Sequence, residues 1–500
     1  MASLIRSIVT AGAAFYGVNL LDVAPPASGL GSVSRVLGIV ADLPWGPENT
    51  VTTCYSFKDL QQFFPAAFSS LYNNYPALKA LLGHPKLPGP VQVCRIVPTG
   101  VVHLAMALSY TVTGGAFVGT AAYKGTMGNS ITAMWAAATD ADGTHRNLTI
   151  TIGTAYSKLY ENVTLTSLLT LADPYITWTA TSSPSVLPAA AAAATSTVAG
   201  TDGTAVSADY IGSSTSNVGI RKFYASNVSV DVLLVAECPS GLINAVNTGL
   251  VAYGTGAGKQ GQYVLCSVAS QSAASAVTYV ASYRDSGSKG SYMWPRPKIT
   301  NTFDSTNPLV AVDGNMMLAT AMLGVDPWNS PEGVNSAPWL TGIVDLETND
   351  ADDVAYAALN TAGISTLFID DTLGPIVRGA FTTNVTSGQT DIVRSSYRSY
   401  ASTQLASYAI HYVGVNLSVN LTKGLLGDSV DPLIGAMRGF LQVETDKQHI
   451  SGYTVDPFGS NTQSDIDAGH WTIATAIKMF ASNRQMIIAT QVGATVVLSS

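Results

Sequence analysis

The sequence predicts a multidomain chain of mixed α+β/α/β class, on three observations. Segments of strand and helix character alternate toward both ends of the chain. Between them lies a run of short alternating stretches separated by turn residues, the pattern of antiparallel β structure. At 500 residues, the chain also exceeds what one simple hydrophobic core organises.

The elements follow in order. Val36 to Ala41 reads as a buried strand and Pro44 to Pro47 as a turn. SFKDLQQFF reads as an amphipathic helix capped by Ser56, with Asp59 in its first turn. VQVCRIVP supplies a second strand and completes a βαβ-like opening. From Thr111 to Trp178 the stretches SYTVTGGAFVGT, NSITAMWAAATD, RNLTITIGTAYSKLY and NVTLTSLLTL favour antiparallel β. PSVLPAAAAAATSTVAGTDGT suits a hinge or surface loop, although its alanines also suit a short helix. SVDVLLVAECPSG and GQYVLCSVAS are buried-type strands, and with the helical SAASAVTYVASYR they predict a small parallel α/β unit. Beyond Pro308, GNMMLATAMLGV and ADDVAYAALNTAG read as helices and STLFIDDTL as a strand. DIVRSSYRSYASTQLASYAIHYVG is the longest helical pattern, DPLIGAMRGFLQVE is another, and SGYTVDP and HWTIATAIKMF precede the terminal run.

Only 11% of residues are charged, against roughly 25% in typical soluble domains. Interface cores are depleted in charge, so a chain that covers itself with copies of itself fits; a β-rich extracellular protein is the alternative. A net charge of −8 and the lack of any basic run predict no attraction to nucleic acid or anionic membrane. Cys54, Cys94, Cys238 and Cys266 show no CxxC spacing, so reduced, partly buried thiols are expected rather than a zinc site. The start MASLIRSIVTAGAAFYGVNLLDVAPPASGL superficially resembles a signal peptide, but Ser7, Thr10, Gly12 and Gly17 interrupt its apolar stretch. Nowhere does an apolar run reach the length of about 18 residues that a membrane span needs.

Candidate chemistry is weak throughout. Gly256 to Gly261, GAGKQG, fits G-x-G-x-x-G, yet a helix precedes it and a strand follows, the reverse of a dinucleotide or phosphate loop. A helix C-cap turn explains the glycines better. The acid pairs Asp352–Asp353, Asp370–Asp371 and Asp465/Asp467 sit in polar loops or near helix starts, where the helix dipole favours acids. His84, His103, His145, His411, His449 and His470 share no ligand or catalytic spacing. Trp45, Trp294, Trp328, Trp339 and Trp471 are expected in cores. No enzyme, cofactor or metal is expected.

The ending RQMIIATQVGATVVLSS raises a different question. From Met486 to Leu498 it is uncharged, rich in β-branched residues and divided only by Gly493. An apolar strand with open backbone groups is an aggregation template unless another strand pairs with it.

In order, these residues resemble the tail sheath proteins of contractile-tailed bacteriophages. VLGIVADLPWGPENTVTTCYSFKDLQQFF is similar to that family's opening strand, W-G-P turn and helix. AAYKGTMGNSITAMW resembles the G-x-x-G-N segment of its inserted β domain, and VAGTDGTAVSADY its Gly-Thr-Asp-Gly segment. SYMWPRPK to SAPWL follows a proline-bearing strand and loop, and GYTVDPFGSNTQSDIDAGHWTIATAIKMF is close to the family's D-x-x-x-N-T-x-x-D-I-x-x-G ending. The usual P-G-V-Y is only approximated by FYGVNL, IVRGAFTTN stands where the family has R-T, and NRQM replaces an acidic position.

The resemblance implies a discontinuous sheath core built from the N- and C-terminal parts, carrying inserted β-rich and small α/β domains. The implied divisions are an N-terminal arm and linker (1–31), the first part of the core (32–104), an inserted antiparallel β domain (105–185), a small α/β domain (186–300), the C-terminal core (301–484) and a C-terminal strand arm (485–500). The arms would add strands to sheets of neighbouring copies, through Phe15, Tyr16, Val18, Leu20 and Leu21 at one end and Met486, Ile487, Ile488, Val492, Val496, Val497 and Leu498 at the other. The implied protein is a non-enzymatic virion tail subunit, assembled in the host cytoplasm. It would form rings, six-membered by implication, stacked into a contractile helical sleeve. Implied partners are other copies, the tail tube protein, and baseplate and tail terminator proteins, with no nucleic acid and no membrane insertion. A surface adhesin or surface-layer protein, an α/β enzyme using the middle unit, and the sheath of a tailocin or secretion-type injection system are the alternatives.

Overall fold

The computed structural model describes residues 35–64, 82, 90–100, 105–152, 156–192, 194–225, 230–236, 238–255, 261–284, 289–300, 306, 308–348, 352–384, 392, 395–397, 400–401, 404–405, 427–456, 462 and 473–480. These fall into two compact units, residues 35–405 in one and 427–480 in the other.

The larger unit opens with β1 (Leu37–Ala41), β2 (Val51–Cys54), α1 (Phe57–Phe63) and β3 (Val91–Arg95). An insert follows: β4 (Ala107–Val112), β5 (Gly115–Ala121), β6 (Ile131–Ala137), β7 (Arg146–Ile152), β8 (Tyr156–Val163), α2 (Leu165–Leu169), β9 (Ile176–Ser182) and β10 (Thr195–Val198). The chain returns through α3 (Ser207–Ile211), α4 (Gly219–Ala225), β11 (Val232–Ala236), α5 (Ile243–Thr255), β12 (Gln262–Val264), α6 (Ala273–Ala281) and β13 (Gly290–Ser291). It continues with β14 (Met293–Trp294), β15 (Pro297–Thr300), β16 (Leu309–Ala311), α7 (Gly314–Gly324), β17 (Ile343–Leu346), α8 (Asp353–Thr361), β18 (Ser365–Asp370) and β19 (Gly374–Arg378). The smaller unit holds α9 (Gly427–Asp446), β20 (Gly452–Asp456) and β21 (Ala474–Lys478).

One six-stranded sheet organises the larger unit, in the order β13, β12, β11, β1, β3, β2. It is parallel except for β2, which runs against β3. Parallel sheets are covered on both faces, which explains the unbroken apolar runs LGIVA and VLLVA. Leu37, Ile39, Val232 and Leu234 face one cluster, which includes α7, while Val40, Leu233 and Val235 face another with α4, α5, α6 and α8. Gly314 to Leu323 of α7 are all buried, as befits a helix apolar all round. Its one amide, Asn315, donates to the Val235 carbonyl at 2.8 Å. On the other face, Asn247 accepts from the Cys266 N–H at 2.8 Å and donates to the Cys266 carbonyl.

Local predictions hold well here. Ser56 caps α1, and Asp59 closes a capping box with it. Trp45, Trp294 and Trp339 are buried, Trp328 is half-buried, and Trp471 lies outside the described residues. Within the longest helical pattern, residues 392, 395–397, 400–401 and 404–405 are helical.

Four expectations need correction. The strands placed in a separate small α/β domain, 186–300, belong to the sheet that β1 and β3 open, because β11 pairs with β1 along its whole length. Pattern alone shows that a run is buried on both faces, but not which other run lies beside it. Within that same range, β10 joins the insert's sheet through β4, so the stretch read as hinge or loop contains a strand. NVTLTSLLTL contains α2 rather than only strand: the Thr164 hydroxyl accepts from the Ser167 N–H, and this capping box outweighs the β-branched composition. The C-terminal core expected over 301–484 is also divided between the two units.

Because β11 and β1 share a ladder, Leu234→Ala, at a fully buried position, is expected to destabilise the larger unit by about 2–5 kcal/mol. Amide hydrogen exchange should accelerate in β1 and β11 together; acceleration in β11 alone would mean two separate domains.

Candidate functional site

The sheet changes direction of growth at β1. The chain passes from β1 to β3 on one side and, after the insert, returns to β11 on the other. In open α/β sheets such a switch point leaves a crevice beyond the carboxyl ends of the strands, where ligands bind. Here the end of β3 and the turn after β1 are tied to each other and to the insert at that edge of the sheet.

Arg95, the last residue of β3, is 1% exposed. Its Nε donates to the Leu43 carbonyl at 2.6 Å and its Nη1 to the Gly46 carbonyl at 3.0 Å. Nη2 crosses to the insert and donates to the Lys124 carbonyl at 2.9 Å. Glu48 lies 3.5 Å from Nη1 and also accepts from the Lys124 N–H at 2.8 Å. Burial lowers the Arg95 pKa, and Glu48, Asp42 and Asp202 oppose that shift. The planar guanidinium suits three carbonyls in fixed directions, which a lysine could not serve.

Segments far apart in sequence converge on this arginine. Gly125 has φ +128° and lies so close to the Pro44 carbonyl that an added Cβ would sit 2.6 Å from it, so the position needs glycine. Asn129 and Gly200 exchange two hydrogen bonds, of 3.0 and 2.7 Å. Asp202 accepts from both the N–H and the hydroxyl of Thr126. Asp209 accepts from Thr99 N–H and hydroxyl at 3.0 and 2.7 Å, while Gly100 N–H donates to the Thr204 carbonyl at 2.9 Å. The outgoing and returning chains are thus tied together at the base of the insert.

Trp45 completes the junction. It belongs to the turn after β1, yet its side chain is buried in the hydrophobic cluster of the insert. Tyr123 meets it edge-on at 5.4 Å and Tyr175 stacks at 6.5 Å. Above it the insert is a sandwich of two antiparallel sheets, β10-β4-β5-β9 and β6-β7-β8, packed around Tyr110, Phe117, Trp135 and Trp178.

Among the described residues, the titratable groups singled out in the sequence do not meet in one place. Asp352 caps α8 through the Ala355 N–H at 2.8 Å. Asp370 accepts from the Thr372 and Leu373 N–H groups, bonds that hold its carboxyl below the usual range. His145 sits half-buried in the β6–β7 turn against Asp140 at 2.6 Å; that hydrogen bond raises its pKa and lowers that of Asp140. His449 bonds Glu444 at the end of α9 at 2.9 Å. Burial pushes the Cys54 and Cys94 thiols up to about 12, leaving them protonated and poor nucleophiles. Among the described residues, no group of three or more His, Cys, Asp or Glu residues is placed to hold a metal, and no helix is long and apolar enough to cross a membrane.

His84, His103, His411, His470, Asp465 and Asp467 lie outside the described residues. So do all the candidate arm residues: Phe15, Tyr16, Val18, Leu20, Leu21, Met486, Ile487, Ile488, Val492, Val496, Val497 and Leu498. Of GAGKQG, only Gly261 is described, between α5 and β12. Sequence reading missed Arg95 and Trp45 as a joint. The available signal was a lone arginine inside the apolar run VQVCRIVP of a chain poor in charge.

Asp42 carries a pH dependence. Burial raises its carboxyl from 3.8 to about 6, with Asp202 and Asp209 adding to the rise and Arg95 opposing it. The folded chain therefore holds this proton more tightly than the unfolded chain, and stability should rise as pH falls from 7 through about 6. His145, also raised, pushes in the same direction. Burial also raises the Asp231 carboxyl, so in urea denaturation at pH 7 and pH 5 Asp42→Asn should show a smaller gain than the parent, and an unchanged gain would remove Asp42 from the pH dependence. At fixed pH, Arg95→Ala should destabilise by about 3–5 kcal/mol by leaving buried groups unpaired, and Trp45→Ala by a similar amount of about 3–5 kcal/mol. The two losses should not add, since both residues hold one joint.

No family model matches the sequence, and no curated protein matches it. Solved structures do. The chain is similar to the sheath tail protein Lin1278 from Listeria innocua, with a TM-score of 0.61 at 13% identity, covering 96% of this chain and 99% of that one. The sheath tail protein DSY3957 from Desulfitobacterium hafniense gives 0.56 at 13% identity, over 91% and 98%. The helical sheath of the anti-feeding prophage in its contracted state gives 0.52 at 13% identity, over 96% and 99%. Across nearly its whole length, then, this chain has the fold of the contractile tail sheath proteins.

Proposed function

We propose that this protein is a structural sheath subunit that polymerises into a helical sleeve around a tail tube and contracts to drive the tube through a cell envelope. The observation that carries this reading is the match of 96% and 91% of the chain to two sheath tail proteins. The low charge fraction supports it, since subunits of a closed lattice cover much of their surface with one another. The joint made by Arg95 and Trp45, which ties the insert to the sheet, suits a mechanical role.

The terminal arms are the proposed couplings. In the smaller unit, β20 and β21 form a two-stranded antiparallel sheet. Helix α9 already packs on this pair, the Tyr453 hydroxyl donating to the Arg438 carbonyl at 3.2 Å, but among the described residues no third strand joins it, so its edges are natural acceptors for arms from other copies. Backbone pairing is indifferent to side-chain identity and stays intact while the bodies it links reorient. Each bond adds roughly 0.5–1.5 kcal/mol net, so a short arm can hold a neighbour by several kcal/mol. The extended sleeve would store free energy in its lattice and release it on a trigger at the baseplate.

Six-membered rings, a tube protein inside, baseplate and terminator proteins at the ends, assembly in the host cytoplasm and a place in a virion tail complete the proposal. A tailocin or other injection-system sheath shares the same physics and the same reading of the residues. The adhesin and surface-layer alternative has no comparable support.

The test is removal of residues 485–500. Negative-stain microscopy should show tubes or rings from the full chain and only unassembled subunits from the truncation. Sleeves of normal length from the truncated chain would remove the C-terminal arm from the mechanism.

A further inference from the structure

The two sheets of the insert differ in charge. No Asp, Glu, Lys, Arg or His occurs from Leu104 to Tyr123 or from Pro174 to Thr201, and these two stretches supply all four strands of the sheet β10-β4-β5-β9. The other sheet and its turn carry Asp140, Asp142, His145, Arg146, Lys158 and Glu161. Copies of a chain with net charge −8 repel one another least where charge is absent.

The two ends of the uncharged sheet, the outer sides of β9 and β10, lack a further strand among the described residues, although α2 packs beside β9. Bonded and non-bonded pairs alternate along an antiparallel ladder, which fixes where the free groups point. Ala122 donates to Tyr175, and Ser183 to Gly114, so in the register between β5 and β9 the bonded residues of β9 are Thr177, Thr179 and Thr181. Trp178 and Ala180 therefore turn their N–H and C=O groups away from β5. The bond from Ala121 to Met106 likewise turns Ser109 toward β10. Thr195 is then the bonded partner of Ser109, and Ser196 points outward just before the bulge that ends regular pairing. All four residues of β10 are exposed. Neither edge carries the charged residue or proline that normally blunts an open strand.

Strand direction shows which partner fits. β10 runs against β4, β4 against β5, and β5 against β9, so β9 and β10 are antiparallel to each other. A copy displaced sideways without being flipped presents its β10 antiparallel to β9 of the first, and the sheet can continue from copy to copy. A copy turned about a two-fold axis would bring β9 against β9 and leave both β10 edges open. We propose that the inserts of neighbouring copies join head to tail through β9 of one and β10 of the next, a heterologous contact of the kind that builds rings and filaments. This rests on the sheath reading, because a ring or helix supplies copies in the same orientation.

The experiment uses the full chain with Cys238→Ser, since Cys238 is half-buried while Cys54, Cys94 and Cys266 are buried. Thr179→Cys and Thr195→Cys place one thiol on each edge strand, in the same row of the sheet. Oxidation by copper phenanthroline should give a ladder of covalent oligomers beyond the dimer, whereas either single variant should stop at the dimer or below. Material from the double variant that also stops at the dimer or below overturns the proposal. Ala180→Pro and Ser196→Pro each delete one outward N–H and spare the ladders to β5 and β4, a change edge strands tolerate. Each should raise the concentration needed for assembly about tenfold, and an unchanged concentration in folded protein counts against the contact. Microscopy of the same samples reads the sheath proposal separately: sleeves without a ladder sink only the edge contact, and a ladder without sleeves sinks only the sheath.

Discussion

The Arg95 guanidinium is taken out of water and given three carbonyl partners drawn from two parts of the chain, and the larger unit depends on that arrangement. A buried charge without partners is among the most costly defects a fold can contain, so the turn after β1, the end of β3 and the segment at Lys124 are held in one geometry. The insert cannot tilt about its two connecting chains without unpairing the arginine and withdrawing Trp45 from the apolar cluster it fills. The insert and the six-stranded sheet therefore move as one body wherever this joint is intact.

This rigidity has a counterpart in how the sheet itself is covered. Both faces are apolar, and one is closed by a helix buried on every side, so the hydrogen bonds that polar side chains make there lie inside the core: Asn315 to Val235, Asn247 with Cys266. A body built this way transmits force rather than absorbing it, because close-packed interiors deform little. Under the proposed function that property is useful. Motion in a contracting sleeve would occur between subunits, at backbone-paired contacts that tolerate reorientation, while each body stays as it is.

The distribution of charge follows the same division. Charged residues in the larger unit are spent on caps, turns and the joint, as with Asp352, Asp370 and Asp209. The uncharged sheet of the insert has none to spend. Its threonines bond neighbouring carbonyls instead, Thr181 reaching Ala116 at 3.2 Å.

Local chemistry alone determined a good deal of this protein. The cap at Ser56, the buried strands at Val36 to Ala41 and Val232 to Ala236, the antiparallel stretches of the insert and the structural use of Asp352 and Asp370 follow from side-chain pattern and backbone hydrogen bonding over a few residues. The order of the G-x-x-G-N, G-T-D-G and W-G-P stretches also pointed to the sheath fold. Tertiary structure decided which buried runs lie side by side, and so merged two expected domains into one sheet. It also decided that those three motifs meet around an arginine none of them contains. Pairing and convergence of this kind arise from contacts between residues distant in the chain, where an apolar strand is satisfied by any apolar neighbour and only the packed whole selects one.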